Sequence, residues 1–306
     1  MISVIMSVYN ETIRWVRESA ESILSQTYSD FEFIIVVDNP QIDDEIAEYL
    51  IGLEADARVK LLWNERNLGL PQSLNKGICA ASGEFIARMD ADDISAPDRL
   101  QRELFFLIDN NYDMVSTNKV NIDEEGAILY EDSRLGEKAI KGLLYSNVIV
   151  HSSVLIKKDA VKALGGYRKV KDAEDFDLWL RLLDAGYSIG ILDEYLVKYR
   201  LRATSVSVER QLEQFYASQY VRILSKQRKT IGEDSFSEKE MVSFFEKKRI
   251  TESVQRRFSM AKKYLETASQ QKTKQQYLRM CANAVRSGVL FPQLLWVYIC
   301  KNVVVK

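Results

Sequence analysis

Over residues 1–205, short and almost wholly apolar runs alternate with stretches of helical periodicity. This alternation constrains the fold more than any other feature, because it is the pattern of βαβ units around a sheet covered on both faces. Ile2–Tyr9 reads as the first strand, and Ile13, Val16, Ala20, Ile23 and Leu24 then recur at helical spacing. Phe31–Asp38 is a second buried strand, followed by a helix over about Asp43–Leu53, a strand at Val59–Trp63 and a helix near Pro71–Ala81 with Pro in its first turn. Glu84–Asp90 is the next strand, and Ser95-Ala96-Pro97-Asp98 has the form of a capping box opening a helix that runs to about Asn110. Strands at Met114–Val120, Val154–Ile156 and Ile189–Tyr199, and a helix at Glu174–Ala185 stopped by Gly186, complete an α/β half with a mostly parallel sheet.

From about Gln211 the pattern is helical, rich in Lys and Arg and nearly free of Gly and Pro. The formal net charge of −2 hides an asymmetry. Residues 206–306 hold 19 Lys and Arg against 9 Asp and Glu, whereas residues 1–205 carry a net of −12. Two domains are expected, an acidic α/β domain over 1–205 and a basic helical region over 206–306. Cys79, Cys281 and Cys300 are isolated, so neither a disulfide framework nor a thiolate zinc site is expected. The N-terminal run lacks the basic start and long apolar core of a signal peptide, which favours a cytoplasmic protein.

In open α/β sheets ligands bind beyond the carboxyl ends of the strands. Tyr9-Asn10, Asp38-Asn39 and Asp90-Ala91-Asp92-Asp93 all lie at such ends and should converge. Three carboxylates in four residues repel one another, which a divalent cation or solvent can relieve; Mg²⁺ or Mn²⁺ suits such oxygen ligands. A solvated helix-capping turn is the other reading of the cluster. Glu174-Asp175 at a helix start could supply a general base or merely cap the helix. His151, the only histidine, could approach a phosphate or be a satisfied buried side chain, and Arg88 could face a nucleotide or pair with Asp90. There is no Gly-x-x-x-x-Gly-Lys loop and no Gly-x-Gly-x-x-Gly after the first strand, so phosphate must be held by other means.

These residues, taken in order, resemble the bacterial family 2 glycosyltransferases of GT-A fold, whose Rossmann-like, mostly parallel sheet carries helices on both faces. The resemblance covers roughly residues 1–205. Val8-Tyr9-Asn10-Glu11, after Ser7, is similar to the family's opening P-x-Y-N-E, with Ser in place of Pro. Asp38 falls on the acidic residue that contacts uracil and ribose; Asn67-Leu68-Gly69 and Leu74-Asn75-Lys76-Gly77 match N-x-G and L-N-x-G. Ala81-Ser82-Gly83-Glu84-Phe85-Ile86-Ala87-Arg88-Met89-Asp90-Ala91-Asp92-Asp93 is close to the strongest family signature. His151-Ser152-Ser153, Gly165-Gly166-Tyr167, Glu174-Asp175-Phe176-Asp177-Leu178-Trp179 and Tyr199-Arg200 resemble the later elements, although the His often found two residues further on is Arg202 here.

The resemblance implies a UDP-sugar donor bound by Val8, Tyr9, Asn10, Glu11, Asp38, Asn67, Asn75, Arg88, Asp90, Ala91, Glu174 and Arg200. It implies Mn²⁺ or Mg²⁺ held on the diphosphate by Asp92 with His151 alongside, and Asp175 as the base in a transfer that inverts the anomeric carbon. The processive Q-x-x-R-W element is absent, which favours addition of one hexose or N-acetylhexosamine per encounter. Surface polysaccharide made on a saccharide or lipid-linked saccharide acceptor is the expected setting. A sugar-nucleotide nucleotidyltransferase would need a Gly-rich basic loop that is missing; a binding module without turnover is the other rival.

The run from Val289 to Cys300 is apolar except for Gln293, but at ~20 residues needed for a span it is too short, and Pro292 interrupts it. With its basic surroundings the tail has two readings: peripheral attachment to an anionic membrane surface at the inner face of the plasma membrane, or a helical hairpin packed on the catalytic domain or forming a homodimer contact. Nucleic acid is not expected, since basic pairs such as Arg256-Arg257 come with no recognition motif.

Overall fold

The computed structural model describes residues 1–133, 137–202, 210–273 and 276–304. The chain divides into two compact units, Met1–Ile140 with Val148–Glu209, and Lys141–Asn147 with Arg210–Lys306. The domain boundary expected at 205/206 lies outside the described residues.

The first unit is built on strands β1 (Ile2–Val8), β2 (Phe31–Val37), β3 (Val59–Trp63), β4 (Phe85–Asp90), β5 (Ile94–Ser95), β6 (Met114–Ile122), β7 (Ile128–Asp132), β8 (Leu155–Lys157) and β9 (Ile189–Arg200). Their order is β3-β2-β1-β4-β8-β6-β9-β5, with β7 on β6. The first four are parallel and in register, Ile2 beside Phe31 and Phe85. Both faces of β1, β2 and β4 are covered, whereas edge strand β3 buries only Val59. Val4, Met6, Phe33, Ile35, Ala87 and Met89 pack with residues of α1 (Ile13–Leu24), α2 (Asp44–Leu53) and α4 (Arg99–Asp109). On the opposite face α3 (Leu70–Ala80) comes so near β1 that a Cβ on Gly77 would lie 2.6 Å from Ile5 Cγ2. Covering both faces is what makes these strands continuous apolar runs.

Beyond β4 the sheet is mixed. Antiparallel β8 sits between β4 and β6, while β6 and β9 run parallel and β5 pairs antiparallel with β9. The reversal has a local cause. β8 is entered through a 3₁₀ turn, His151–Ser153, at the carboxyl end of β4, where Arg88 N–H donates to Val154 O at 2.9 Å. The turn therefore delivers His151 to the ligand edge of the sheet.

The expected capping box at Ser95–Asp98 does not form. Asp98 makes no side-chain cap to α4. Ser95 instead belongs to β5 and its hydroxyl accepts from Gln26 Nε2 at 3.1 Å, so strand pairing with β9 takes the residue that would have capped the helix. Short helices α5 (Glu137–Gly142) and α6 (Lys158–Ala163) and the longer α7 (Glu174–Asp184) complete the unit, α7 ending at Gly186 in the left-handed region, φ 85°.

The second unit contains α8 (Gln211–Ile231), α9 (Glu238–Lys248), α10 (Glu252–Thr273), α11 (Tyr277–Leu290) and α12 (Pro292–Val304). It has a core of its own, in which Leu212, Tyr216, Phe258, Ala261 and Phe291 are buried. The rings of Phe258 and Phe291 lie 5.3 Å apart, and Phe215 packs edge-on to Phe291 at 5.6 Å. No helix among the described residues is long and apolar enough to cross a membrane.

Candidate active site

The carboxyl ends of β1, β2 and β4 meet as the apolar runs dictate. Asp38 N–H donates to Val8 O at 2.8 Å, and Asn39 Nδ2 donates to Tyr9 O at 2.9 Å, locking the end of β1 to that of β2. Tyr9 is exposed, and its own N–H is taken by Glu11 Oε2 at 2.8 Å. Asp38 is buried and accepts from Leu68 N, Gly69 N and Asn64 Nδ2 at 2.7–2.8 Å. It thus shapes the loop before α3, and Asn67 assists by accepting from Gly69 N at 2.8 Å. Asn64 and Lys76, whose Nζ reaches Asn64 Oδ1 at 2.7 Å, belong to this corner. Nothing in their spacing marked them.

Two arginines dress the acidic cluster. Arg88, buried on β4, ion-pairs with Asp90 two residues on. Burial opposes the Arg88 charge, but the Asp90 carboxylate more than compensates and its pKa is raised. Arg202, past the end of β9, lies with Nε 2.8 Å from Asp92 Oδ2 and stacks over Trp15. Burial and the Asp90 charge, set against Arg202, push Asp92 up to about 7. Asp93 points inward, accepts from Arg200 N at 2.8 Å and is raised well above the carboxylate range by burial and by Asp92 and Asp90. Ala91 between them is buried.

Arg200, expected at the nucleotide, is held here by partners within the chain. Its guanidinium donates to Asp92 O at 2.8 Å, Asp123 O at 3.2 Å, Glu124 O at 3.0 Å and Glu18 Oε2 at 2.5 Å. A fork with every arm engaged braces the acidic loop from below.

His151, Tyr167 and the start of α7 lie within reach of the Arg88 charge. His151 Nε2 is 2.9 Å from the Tyr167 hydroxyl, and its ring packs against Tyr167 and Trp179. Burial, then the Arg88 charge, holds the imidazole well below its ordinary pKa, so the ring is neutral near pH 7. Glu174 and Asp175 open α7. Burial and the neighbouring Asp175 charge push Glu174 up to about 8, with Arg88 pulling the other way. Asp175 Oδ1 accepts from Phe176 N at 2.6 Å. The charge of Arg88 therefore reaches Asp92, His151, Tyr167 and Glu174 at once, which makes it the common centre of the cluster.

Among the supports of this half, Asp177 lies in a motif without a role assigned from it, and Arg168 and Arg181 lie outside the motifs. Asp177, fully buried, accepts from Arg168 Nε at 2.9 Å and Arg181 Nε at 2.8 Å. Arg181 in turn donates to Leu164 O and Gly166 O at 2.7 and 2.6 Å, fastening the Gly165-Gly166-Tyr167 turn to α7. Asn75 grips the same turn through Tyr167.

Asp92 is an oxygen donor suited to Mg²⁺ or Mn²⁺, and a cation there would relieve the burial and the Asp90 charge that push its pKa up to about 7. Among the described residues no three His, Cys, Asp or Glu side chains group as a metal centre, so such an ion would take its other ligands from phosphate and water. His151 is engaged with Tyr167.

Comparison with known proteins accords with this architecture. The model of Glycosyl transferase family 2 matches residues 3–164. The chain is 35% identical over 208 residues to the O-antigen biosynthesis glycosyltransferase WbnJ of Escherichia coli, covering 67% of this chain and 81% of that one. It is 37% identical over 208 residues to an uncharacterized glycosyltransferase of Methanocaldococcus jannaschii, covering 66% and 71%. The fold resembles S. aureus TarS 1-349 in complex with UDP-GlcNAc, TM-score 0.62 at 17% identity over 79% of this chain and 70% of that one. A complex of the same protein with UDP gives TM-score 0.61 at 14% identity over 96% and 89%. The fold is thus GT-A, and the chain belongs to glycosyl transferase family 2.

Proposed function

We propose that this enzyme moves a hexose or N-acetylhexosamine from a UDP-sugar, with inversion, to a lipid-linked saccharide acceptor in the making of a surface polysaccharide such as a capsule. The observation that carries the reading is the buried Arg88, which ion-pairs with Asp90 and whose charge also acts on Tyr167, His151 and Glu174. A cation there, with acidic groups and the Glu174-Asp175 carboxyl pair nearby, suits a substrate with a diphosphate at one end and a reacting hydroxyl at the other. WbnJ and the amylovoran biosynthesis glycosyltransferase AmsE of Erwinia amylovora, 29% identical over 224 residues, bear names that place them in polysaccharide synthesis; TarS has been crystallised with UDP-GlcNAc.

In this reading Asp38 and the loop it shapes form the floor for uracil and ribose, along with Val8, Tyr9, Asn10, Glu11 and Asn67. Asp90 and Ala91 line the ribose and Glu174 the sugar. Asp92 would hold Mn²⁺ or Mg²⁺, with His151 on the same side; the ion would neutralise charge on the departing diphosphate. Asp175 takes the proton of the attacking acceptor hydroxyl. Arg88 offsets negative charge on the nucleotide. The exposed apolar stripe Leu278, Val285 and Val289 on α11, with Trp296 and Ile299 on α12, would rest on an anionic membrane surface, drawn there by the basic second unit.

Incubation with UDP-Glc, UDP-Gal and their N-acetyl analogues in the presence of Mn²⁺ and a membrane extract tests the reading. Release of UDP with one donor, and a product whose NMR anomeric coupling is opposite to the donor's, is expected. Retention of configuration would overturn the inverting assignment.

A further inference from the structure

The two carboxylates that flank Ala91 each carry an arginine, and the two arginines are held very differently. Arg88 is buried on β4 beside Asp90. Arg202 follows β9, retains 21% side-chain exposure, and is held by the ion pair to Asp92 and by stacking on Trp15 at 5.6 Å. Arg200, two residues earlier, has its arms engaged by four acceptors and cannot leave. Arg202 is thus the more exposed of the arginines on this loop, and its ion pair is to the Asp92 carboxylate. A guanidinium has five N–H donors and no acceptor, so it can never ligate a metal; on Asp92 it contends with one for the same oxygens. A diphosphate offers it a stronger partner, since arginine pairs bidentately with phosphate.

Resting on the functional reading above, we infer that Arg202 competes with the divalent cation for Asp92 and transfers to the diphosphate of the bound nucleotide, so that metal and nucleotide load together. Without nucleotide, Arg202 neutralises Asp92 and metal binds weakly. With nucleotide, the same guanidinium leaves Asp92 for the diphosphate and the carboxylate becomes available. The coupling is reciprocal: metal that displaces Arg202 frees it for the nucleotide.

The test is the Mn²⁺ electron paramagnetic resonance titration of the full chain, with and without UDP, for wild type, Arg202→Ala and Arg202→Lys. In wild type, Mn²⁺ alone should bind weakly and UDP should strengthen it. In Arg202→Ala, Mn²⁺ alone should bind about fivefold to tenfold more tightly, UDP without metal more weakly, and the strengthening by UDP should shrink. Arg202→Lys, which keeps the charge, should behave nearer to wild type. Wild-type affinity of Arg202→Ala for Mn²⁺ alone would overturn the competition, while the metal-dependent reading of the site would stand. If wild type bound no Mn²⁺ even with UDP, that reading would fail and the inference with it.

Discussion

Asn75 gives both ends of its amide to one residue: its Nδ2 donates to Tyr167 O and its Oδ1 accepts from Tyr167 N, each at 2.8 Å. A side chain on α3 thus mimics a strand partner for the turn that presents Tyr167 to His151. Gly166 is required there twice over, by a φ of 73° and because a Cβ would lie 2.3 Å from Asn75 Oδ1. Asn75→Ala should cost about 2 kcal/mol, near 1 for each lost hydrogen bond, and Gly166→Ala at least as much. Urea denaturation measures both. A loss below about 0.5 kcal/mol for Asn75→Ala would show that the pairing is incidental.

Beneath the acidic cluster Arg99 and Glu103 form an ion pair with no exposure, Nε to Oε1 at 3.0 Å. Arg99 also donates to Arg88 O at 2.7 Å, tying α4 to β4 at the site. Burial pushes Glu103 up to about 7 against the pull of Arg99, so the pair contributes little net stability while its separation is costly. Glu103→Ala, which strands a buried guanidinium, should destabilise by roughly 3–5 kcal/mol. Replacing the pair together, Arg99→Met with Glu103→Leu, should cost much less. Equal losses in the single and double variants would contradict this account.

Glu174 sets a pH dependence. The folded chain keeps its proton up to about 8, whereas its ordinary value is 4.5. Between those values the folded state holds a proton that the unfolded state has released, so this group's contribution to stability falls as pH rises through that window. Glu174→Gln should lessen the decline in melting temperature from pH 5 to pH 8, measured with chelator present. Parallel melting curves for variant and wild type across that range would refute the assignment.

The second unit offers a direct membrane test. Leu278, Val285 and Val289 are exposed along one stripe of α11, whereas Phe291 lies in the aromatic core. Cutting the chain near Phe291 would damage that core, so surface substitutions are the cleaner probe. Leu278→Ser with Val285→Ser and Val289→Ser should leave the melting temperature nearly unchanged and reduce flotation with anionic liposomes severalfold. Unaltered flotation would show that this stripe does not contact lipid.

Strands β1, β2 and β4 and their helices were legible because both faces of that trio are buried, and their apolar runs say so; edge strand β3 buries only Val59. Two strands were not. β5 is only Ile94–Ser95, and β7, Ile128–Asp132, is largely exposed with no buried face to impose alternation. The antiparallel course of β8 depends on where a 3₁₀ turn delivers the chain, which no local periodicity records. At the site, residue types and their order pointed to a cluster, but not to the division of labour within it. Arg200 also ties the acidic loop together through acceptors from residues 18, 92, 123 and 124, far apart in sequence. Asp38 and Asn75 hold loops through partners about 30 and 92 residues away. Long-range hydrogen bonds of this kind leave no spacing to read.

The central claim is that Asp175 serves as the base for sugar transfer, and steady-state UDP release by Asp175→Asn, alongside its UDP affinity, tests it most directly. Removal of a general base lowers turnover by about 10²–10⁴. The account expects a fall of that order with UDP bound as tightly as in wild type. Release at the wild-type rate would contradict it.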